Sequence, residues 1–132
     1  MMMSLPASGT ALSFRKTLTV ADQGFFTGIS GNLGALYVDR LKAQALGQPD
    51  MVVFELAAGA LFTTALNRIA GPQWRIAGFA LDFAKPLALN TSFEARAEVE
   101  GSSPDALTFV LTGLVGTETV ATGSARLVPV QG

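Results

Sequence analysis

Glu55 is the residue whose type and position are most typical of a catalytic group. It is the only charged residue in the apolar segment MVVFELAAGALFTTALN, which covers residues 51–67. A carboxylate in such surroundings is costly for the fold, and groups of this kind cluster at functional sites as acids or bases. The alternative is a structural role, in which Glu55 pairs with Arg40, Lys42 or another cation where two subunits meet.

The types of residue that are missing narrow the chemistry further. The 132 residues include no histidine and no cysteine. Catalysis by Ser-His-Asp or Cys-His groups, disulfides and thiolate metal sites are therefore excluded. An enzyme with this sequence has to use one of ten carboxylates, a lysine or the single tyrosine as its base. A net charge of −1 without a basic tract predicts no nucleic-acid partner.

Two short helices are predicted before the segment that contains Glu55. Thr19 and Asp22 have the spacing of a capping box, which predicts a helix ending at Ser30-Gly31-Asn32. Residues 39–46 predict a second short helix. Residues 1–12 are expected to form a flexible leader, without the charged and apolar pattern of a signal peptide.

A long helix is predicted for residues 51–70, with Asp50 as its N-cap. Because this helix is apolar nearly all round, it is expected in the middle of the structure. Alternating patterns predict strands at residues 13–18, 73–83, 91–100, 107–115 and 119–128. The sequence thus predicts an α+β hot-dog fold, an antiparallel sheet wrapped around one buried helix, in a single domain of residues 13–130.

Two motifs resemble those of the MaoC-like family, the (R)-specific enoyl-CoA hydratases and related dehydratases. Phe26, Ser30, Gly31, Leu36 and Asp39 match the family's hydratase motif, and Phe83-Ala84-Lys85-Pro86 is similar to its Phe-x-Lys/Arg-Pro sequence. The resemblance covers residues 14–129. It implies a hot-dog fold and a groove for an acyl thioester, carried by coenzyme A or a carrier protein, with no cofactor and no metal.

The sequence departs from the family motif at the catalytic positions. Asn32 stands at the position of the family's catalytic Asp, and Tyr37 at that of its catalytic His. An amide can orient a water molecule but cannot take its proton, and a tyrosine is a poor base at neutral pH. Glu55 is therefore the remaining acid–base candidate, and together with Asn32 and Tyr37, which the resemblance places at the family's catalytic positions, it completes the predicted catalytic residues.

The substrate is predicted to contact a second group of residues. The backbone N–H groups of Leu56 and Ala57 are expected to face a thioester oxygen, because helix N-termini present free donors. Ser30 and Gly31 are expected to position Asn32, and Lys85 to contact a phosphate of coenzyme A.

Three functions remain open from the sequence. The first is a MaoC-like protein that binds an acyl thioester with impaired or altered hydratase chemistry. The second is an acyl-CoA thioesterase that uses Glu55, and the third is a non-catalytic subunit of a hot-dog heterodimer. A homodimer or higher oligomer is expected, with no membrane partner and a cytoplasmic location.

Overall fold

The alternating side chains of the third strand build the surface on which the central helix lies. In the computed structural model, which describes residues 4–131, Phe93, Ala95, Ala97 and Val99 are buried while their neighbours point outward. Residues of one strand alternate between the two faces of a sheet, so this pattern separates the core from the outer face. The core also receives large side chains from the other strands and from the helix, namely Phe62, Leu66, Leu107, Phe109 and Leu111.

Within residues 4–131, five strands form one antiparallel sheet in the order β1-β3-β4-β5-β2. The strands are β1 (Ala11–Leu18), β2 (Trp74–Phe83), β3 (Thr91–Ser102), β4 (Leu107–Val115) and β5 (Glu118–Pro129). The helices are α1 (Val20–Ser30), α2 (Ala35–Val38), α3 (Arg40–Ala45) and α4 (Glu55–Ala70). The α+β hot-dog architecture predicted from the sequence is confirmed, with α4 against one face of the sheet.

The first strand begins earlier than the sequence predicts. Ala11 and Leu12, which fall in the predicted leader, already pair with β3 at Glu98 and Ala97. The backbone N–H of Gly9 also donates to the carbonyl of Val99 at 2.8 Å. The end of the leader is thus attached to the sheet, and residues 1–3 lie outside the described residues.

The long helix begins four residues later than the sequence predicts. Residues 51–54 are extended, and Val52 forms a bridge with Ala88 while the N–H of Val53 donates to the carbonyl of Leu87 at 2.7 Å. The β-branched pair Val52-Val53 favours this extended backbone. The predicted N-cap is therefore wrong: the Asp50 carboxylate accepts the N–H of Met51, and Phe54 precedes the first helical residue. Glu55 stands at the very start of α4.

The sheet covers only one side of α4. Ala58, Phe62 and Ala65 are fully buried against the strands, whereas Leu56 on the opposite side is 70% exposed. Within this chain α4 is therefore buried on the side that faces the sheet and exposed on the other side. Gly59 allows the close approach of β2, since a Cβ atom there would lie 3.3 Å from Leu81 Cδ1.

The short helices follow the sequence signals. The Asp22 carboxylate accepts both the backbone N–H and the hydroxyl of Thr19, which confirms the capping box of α1. Asp39 caps α3 by accepting the N–H of Lys42 at 3.1 Å. The single turn of α2 was not predicted. No helix within residues 4–131 is both long and apolar enough to cross a membrane.

Gly113→Ala is expected to destabilise the fold by about 1–3 kcal/mol, because the added methyl group would collide with the Phe93 ring in the closed core. Gly28→Ala is the matched control. No heavy atom lies within 4 Å of a Cβ atom there, and alanine should stabilise the exposed helix by about 1 kcal/mol. Chemical denaturation measures both changes, and equal stability of the two variants would contradict this packing.

Candidate active site

Tyr37 and Glu55, two of the three predicted catalytic residues, meet in the folded chain. The Tyr37 hydroxyl donates a hydrogen bond of 2.8 Å to Oε1 of Glu55. Tyr37 comes from α2, and Glu55 is the first residue of α4. The pair joins the segment after α1 to the start of the central helix. Within the described residues, no protein donor binds Oε2 of Glu55, so that oxygen can receive a proton from a ligand or a water molecule.

Aromatic packing fixes the position of the tyrosine. The Tyr37 ring stacks on Phe54, with ring centroids 4.5 Å apart and planes 13° from parallel. Phe26 packs on the same Phe54 ring at 4.8 Å. Phe54 is 2% exposed, and it directly precedes Glu55. The residue that supports the phenol ring is thus covalently joined to the residue that accepts its hydrogen bond.

Tyr37 is the hydrogen-bond donor to Glu55 at neutral pH. Burial raises the pKa of the Tyr37 hydroxyl, and the hydrogen bond to Glu55 and the negative charge of that carboxylate raise it further, to about 12. The hydroxyl is therefore protonated at neutral pH and holds the carboxylate in one orientation.

An ion pair of Glu55 with a cation where two subunits meet stays a prediction, and within one chain Arg40 does not form it. Arg40 lies 3.9 Å from the Asp50 carboxylate instead. Neither Arg40 nor Lys42 forms an ion pair with Glu55 in the part of the chain that the structure describes.

Ser30, Gly31 and Asn32 form the turn that leads into α2. Oδ1 of Asn32 accepts the N–H of Gly34 at 2.8 Å, and the Ser30 hydroxyl donates to the carbonyl of Phe26. Gly31 ends α1 with φ of 72°. A Cβ atom on Gly34 would touch both Asn32 Oδ1 and the Tyr37 ring, at 3.0 and 3.4 Å, so the Asn32 side chain lies near the Tyr37 ring.

Of the groups predicted to contact the substrate, some already bind other parts of the protein and others are free in the described part of the chain. The N–H of Ala57 donates to the carbonyl of Phe54 at 3.0 Å, so it is already used within the first turn of α4. No protein acceptor binds the N–H of Leu56 among residues 4–131, and this residue is 70% exposed. Lys85 pairs with Glu118 at 2.8 Å. Leu56 is therefore the available backbone donor beside Glu55.

Gln23 was not predicted as a site residue from the sequence. Its side chain is 4% exposed, and it is the only buried polar side chain within residues 4–131. Its carboxamide bonds to backbone groups on both sides of the Tyr37–Glu55 pair. The only signal in the sequence is its place directly after the capping box, on the first turn of α1, where a polar residue is unremarkable.

Solved structures with low sequence identity share the fold. The (R)-hydratase from A. caviae involved in PHA biosynthesis has a TM-score of 0.87 and 20% identity over 93% of this chain and 96% of that chain. The R-hydratase PhaJ1 from Pseudomonas aeruginosa has a TM-score of 0.86 and 19% identity, covering 96% of this chain and 88% of its own. For the ChsH1–ChsH2 complex from Mycobacterium tuberculosis the TM-score is 0.83 and the identity 19%, over 93% of this chain and 98% of the other.

These similarities define the class of protein by its fold. Neither a protein-family model nor a curated protein sequence matches this chain. MaoC-like dehydratases are also among the similar structures. The chain therefore has the hot-dog fold of the MaoC-like dehydratases and (R)-hydratases, which confirms at the level of the fold the resemblance seen in the sequence.

Glu55→Gln is expected to lower the pKa of Tyr37 from about 12 toward the ordinary 10.0, because the variant removes the negative charge beside the hydroxyl. Tyr37 is the only tyrosine, so alkaline absorbance difference titration reads this group alone. Glu118→Gln, which alters a surface carboxylate paired with Lys85, is the control. An unchanged midpoint in Glu55→Gln would contradict the pairing.

The raised pKa of Tyr37 also determines how the free energy of unfolding changes at alkaline pH. The folded-state pKa of Tyr37 lies above that of an unfolded tyrosine, so the unfolded chain loses its proton first as the pH rises. The contribution of Tyr37 to stability is therefore complete below pH 10.0 and declines as the pH approaches about 12.

Proposed function

We propose that this chain binds an acyl thioester at the start of α4 and adds water to, or removes it from, the acyl group, with Glu55 as its acid–base residue. The observation that carries this proposal is the half-buried Glu55 carboxylate, oriented by Tyr37 at a helix N-terminus with one oxygen open. The named activities of the (R)-hydratases with the same fold support the choice of reaction.

In the proposed hydration, Oε2 of Glu55 takes a proton from water while the water oxygen bonds to the β-carbon of a 2-enoyl thioester. The electron pair of the carbon–carbon double bond moves toward the thioester carbonyl and leaves an enolate. The N–H of Leu56 donates to the enolate oxygen, which stabilises the charge as an oxyanion hole does. Glu55 then returns its proton to the α-carbon, and dehydration follows the same steps in reverse.

The surroundings of Tyr37 offer space for the acyl part of such a substrate. A groove of about 290 Å³ lies between α1 and α2 beside Tyr37. Its wall includes apolar side chains, among them Val20, Leu33 and Met51. In this proposal Asn32, whose Oδ1 accepts the N–H of Gly34 near the Tyr37 ring, uses its amide N–H groups to orient the attacking water.

A thioesterase is the second candidate, and the same two groups favour it. A water molecule activated by Glu55 could attack the thioester carbonyl carbon, with the N–H of Leu56 donating to the oxyanion. The thiol would then leave as the tetrahedral intermediate collapses. The two reactions differ in the carbon attacked, so their products separate them.

Glu55→Gln is expected to reduce the hydration rate of short 2-enoyl-CoA esters by about 10²–10⁴-fold, because the amide keeps the shape of the side chain but cannot accept the proton. Loss of enoyl absorbance measures hydration, and free thiol release measures thioester hydrolysis. Glu118→Gln serves as the control and should keep the full rate.

Each outcome of these assays is informative. If thiol release depends on Glu55 and no hydration is seen, the thioesterase is favoured over the hydratase. Hydration that survives Glu55→Gln would contradict the role of Glu55. A folded protein inactive in both assays would contradict the enzymatic proposal and favour a non-catalytic subunit of a heterodimer. One structure with the same fold is that of the ChsH1–ChsH2 complex.

The edge of the sheet supports a second copy of this chain as the structural partner. β2 is an edge strand, and residues 76–81 of this strand carry no charge that would oppose pairing. The opposite edge strand, β1, carries Arg15 and Lys16. A groove of about 620 Å³ lies apart from Tyr37 and Glu55, between the uncovered side of α4 and the strands β2 and β5. In the proposal, β2 pairs with its counterpart, and the second copy covers this groove.

Ile76→Lys is expected to convert a dimer into a monomer, because Ile76 is 39% exposed on the uncovered face of β2. Val110→Lys is the matched control, since Val110 is 42% exposed on the outer face of the central strand β4. Size-exclusion chromatography with light scattering measures the mass. A monomeric parent protein, or a dimer that both variants leave intact, would contradict pairing through β2.

A further inference from the structure

A buried carboxamide connects the two segments that carry the candidate acid–base pair. Gln23 donates from Nε2 to the carbonyl of Tyr37 at 2.8 Å and to the carbonyl of Val52 at 2.9 Å. Its Oε1 accepts the N–H of Phe54 at 3.1 Å. All hydrogen-bonding positions on Nε2 and one on Oε1 are therefore used by backbone groups distant in sequence.

These backbone groups belong to the residues that set the site geometry. The Tyr37 carbonyl is part of the residue whose hydroxyl binds Glu55. Phe54 supports the Tyr37 ring by stacking, and it precedes Glu55 in the chain. One planar amide thus fixes the backbone of the donor residue relative to the backbone that leads into the acceptor residue.

Other contacts explain the attachment of α2 without Gln23. The N–H of Val52 donates to the carbonyl of Leu36 at 3.1 Å, so α2 is already bound to the extended segment. Burying an amide costs free energy unless its hydrogen bonds are made, and an apolar residue would leave backbone groups without partners. The carboxamide therefore adds a second, differently directed connection, which restricts how α2 can rotate against the start of α4.

We propose that Gln23 is a positioning residue that sets the distance between the Tyr37 hydroxyl and the Glu55 carboxylate. It touches neither a reacting atom nor the two polar side chains themselves, and it acts through their backbones. The part of this inference that concerns catalysis rests on the proposed function of Glu55. The part that concerns geometry does not.

The test compares Gln23→Met with Gln44→Met. Methionine matches the length of glutamine but forms none of its hydrogen bonds, and the retained Leu36–Val52 bond should keep α2 attached. Gln44 is the control, because it makes one exposed side-chain bond, from Nε2 to the Pro49 carbonyl at 3.2 Å. Circular dichroism verifies that each variant is folded.

The readout is the single tyrosine, labelled with ¹³C at Cζ and observed by NMR at neutral pH. In Gln23→Met its resonance is expected to move toward the position found in Glu55→Gln, and its alkaline titration midpoint to fall. In Gln44→Met both stay at their original values. A purely structural glutamine would lower the unfolding free energy without moving either signal, so a folded Gln23→Met protein with unchanged signals would overturn the proposal.

A second variant covers the case in which Gln23→Met does not fold. Gln23→Glu keeps the acceptor for the Phe54 N–H but loses both donations when it is ionised, so the Tyr37 signals should move in the same direction. Unchanged signals in folded Gln23→Glu would overturn the proposal as well.

Activity separates this inference from the proposed function. If hydration is present, Gln23→Met should reduce kcat by about tenfold or more, because small misplacements of catalytic groups are costly. If the tyrosine signals move but no protein is active, Gln23 still positions the pair and the proposed function fails. If Glu55→Gln abolishes activity while Gln23→Met leaves the tyrosine signals and kcat intact, the positioning role fails and the proposed function stands.

Discussion

The hydrogen bond from the Tyr37 hydroxyl to the Glu55 carboxylate is the interaction on which the site depends. It places a carboxylate at the first residue of α4 in one orientation and leaves one of its oxygens open. The N-terminus of a helix favours negative charge, and its first N–H groups point away from the helix. In the proposed function, the Glu55 carboxylate takes up a proton beside the backbone N–H of Leu56, which stabilises the charge on the thioester oxygen.

The remaining structure can be understood as support for this arrangement. The extended residues 51–54 run beside residues 87–89 and deliver Glu55 to the start of α4. The sheet holds α4 in place, because one side of α4 packs on β1 and β3. The opposite side of α4 stays uncovered. The same uncovered side and the uncharged edge of β2 give the second copy its place in the proposed dimer.

The fold was largely predictable because its signals are local. The alternation in β3 and the capping box of α1 each depend on a few neighbouring residues. The start of α4 was not predictable in this way, since residues 51–54 are extended through hydrogen bonds to a segment more than thirty positions away in sequence. Apolar composition alone does not distinguish a buried strand from a buried helix.

Two of the site residues were also predictable from local signals in the sequence. Glu55 is recognisable as a lone charge among apolar residues, and the family motif marks the position of Tyr37. Their hydrogen bond and the contacts of Gln23 are tertiary interactions, which the spacing of residues along the chain does not predict. Among the described residues, the N–H of Leu56 is free and that of Ala57 is hydrogen-bonded because α4 begins at Glu55. The predicted start of this helix was wrong.

A crystal structure with a bound 3-hydroxyacyl-CoA would test the central claim most directly. We expect the 3-hydroxyl group to contact Oε2 of Glu55 and the thioester oxygen to accept a hydrogen bond from the N–H of Leu56. A ligand bound with its acyl group away from α4's first turn, for example in the groove between α4 and β2, would contradict it.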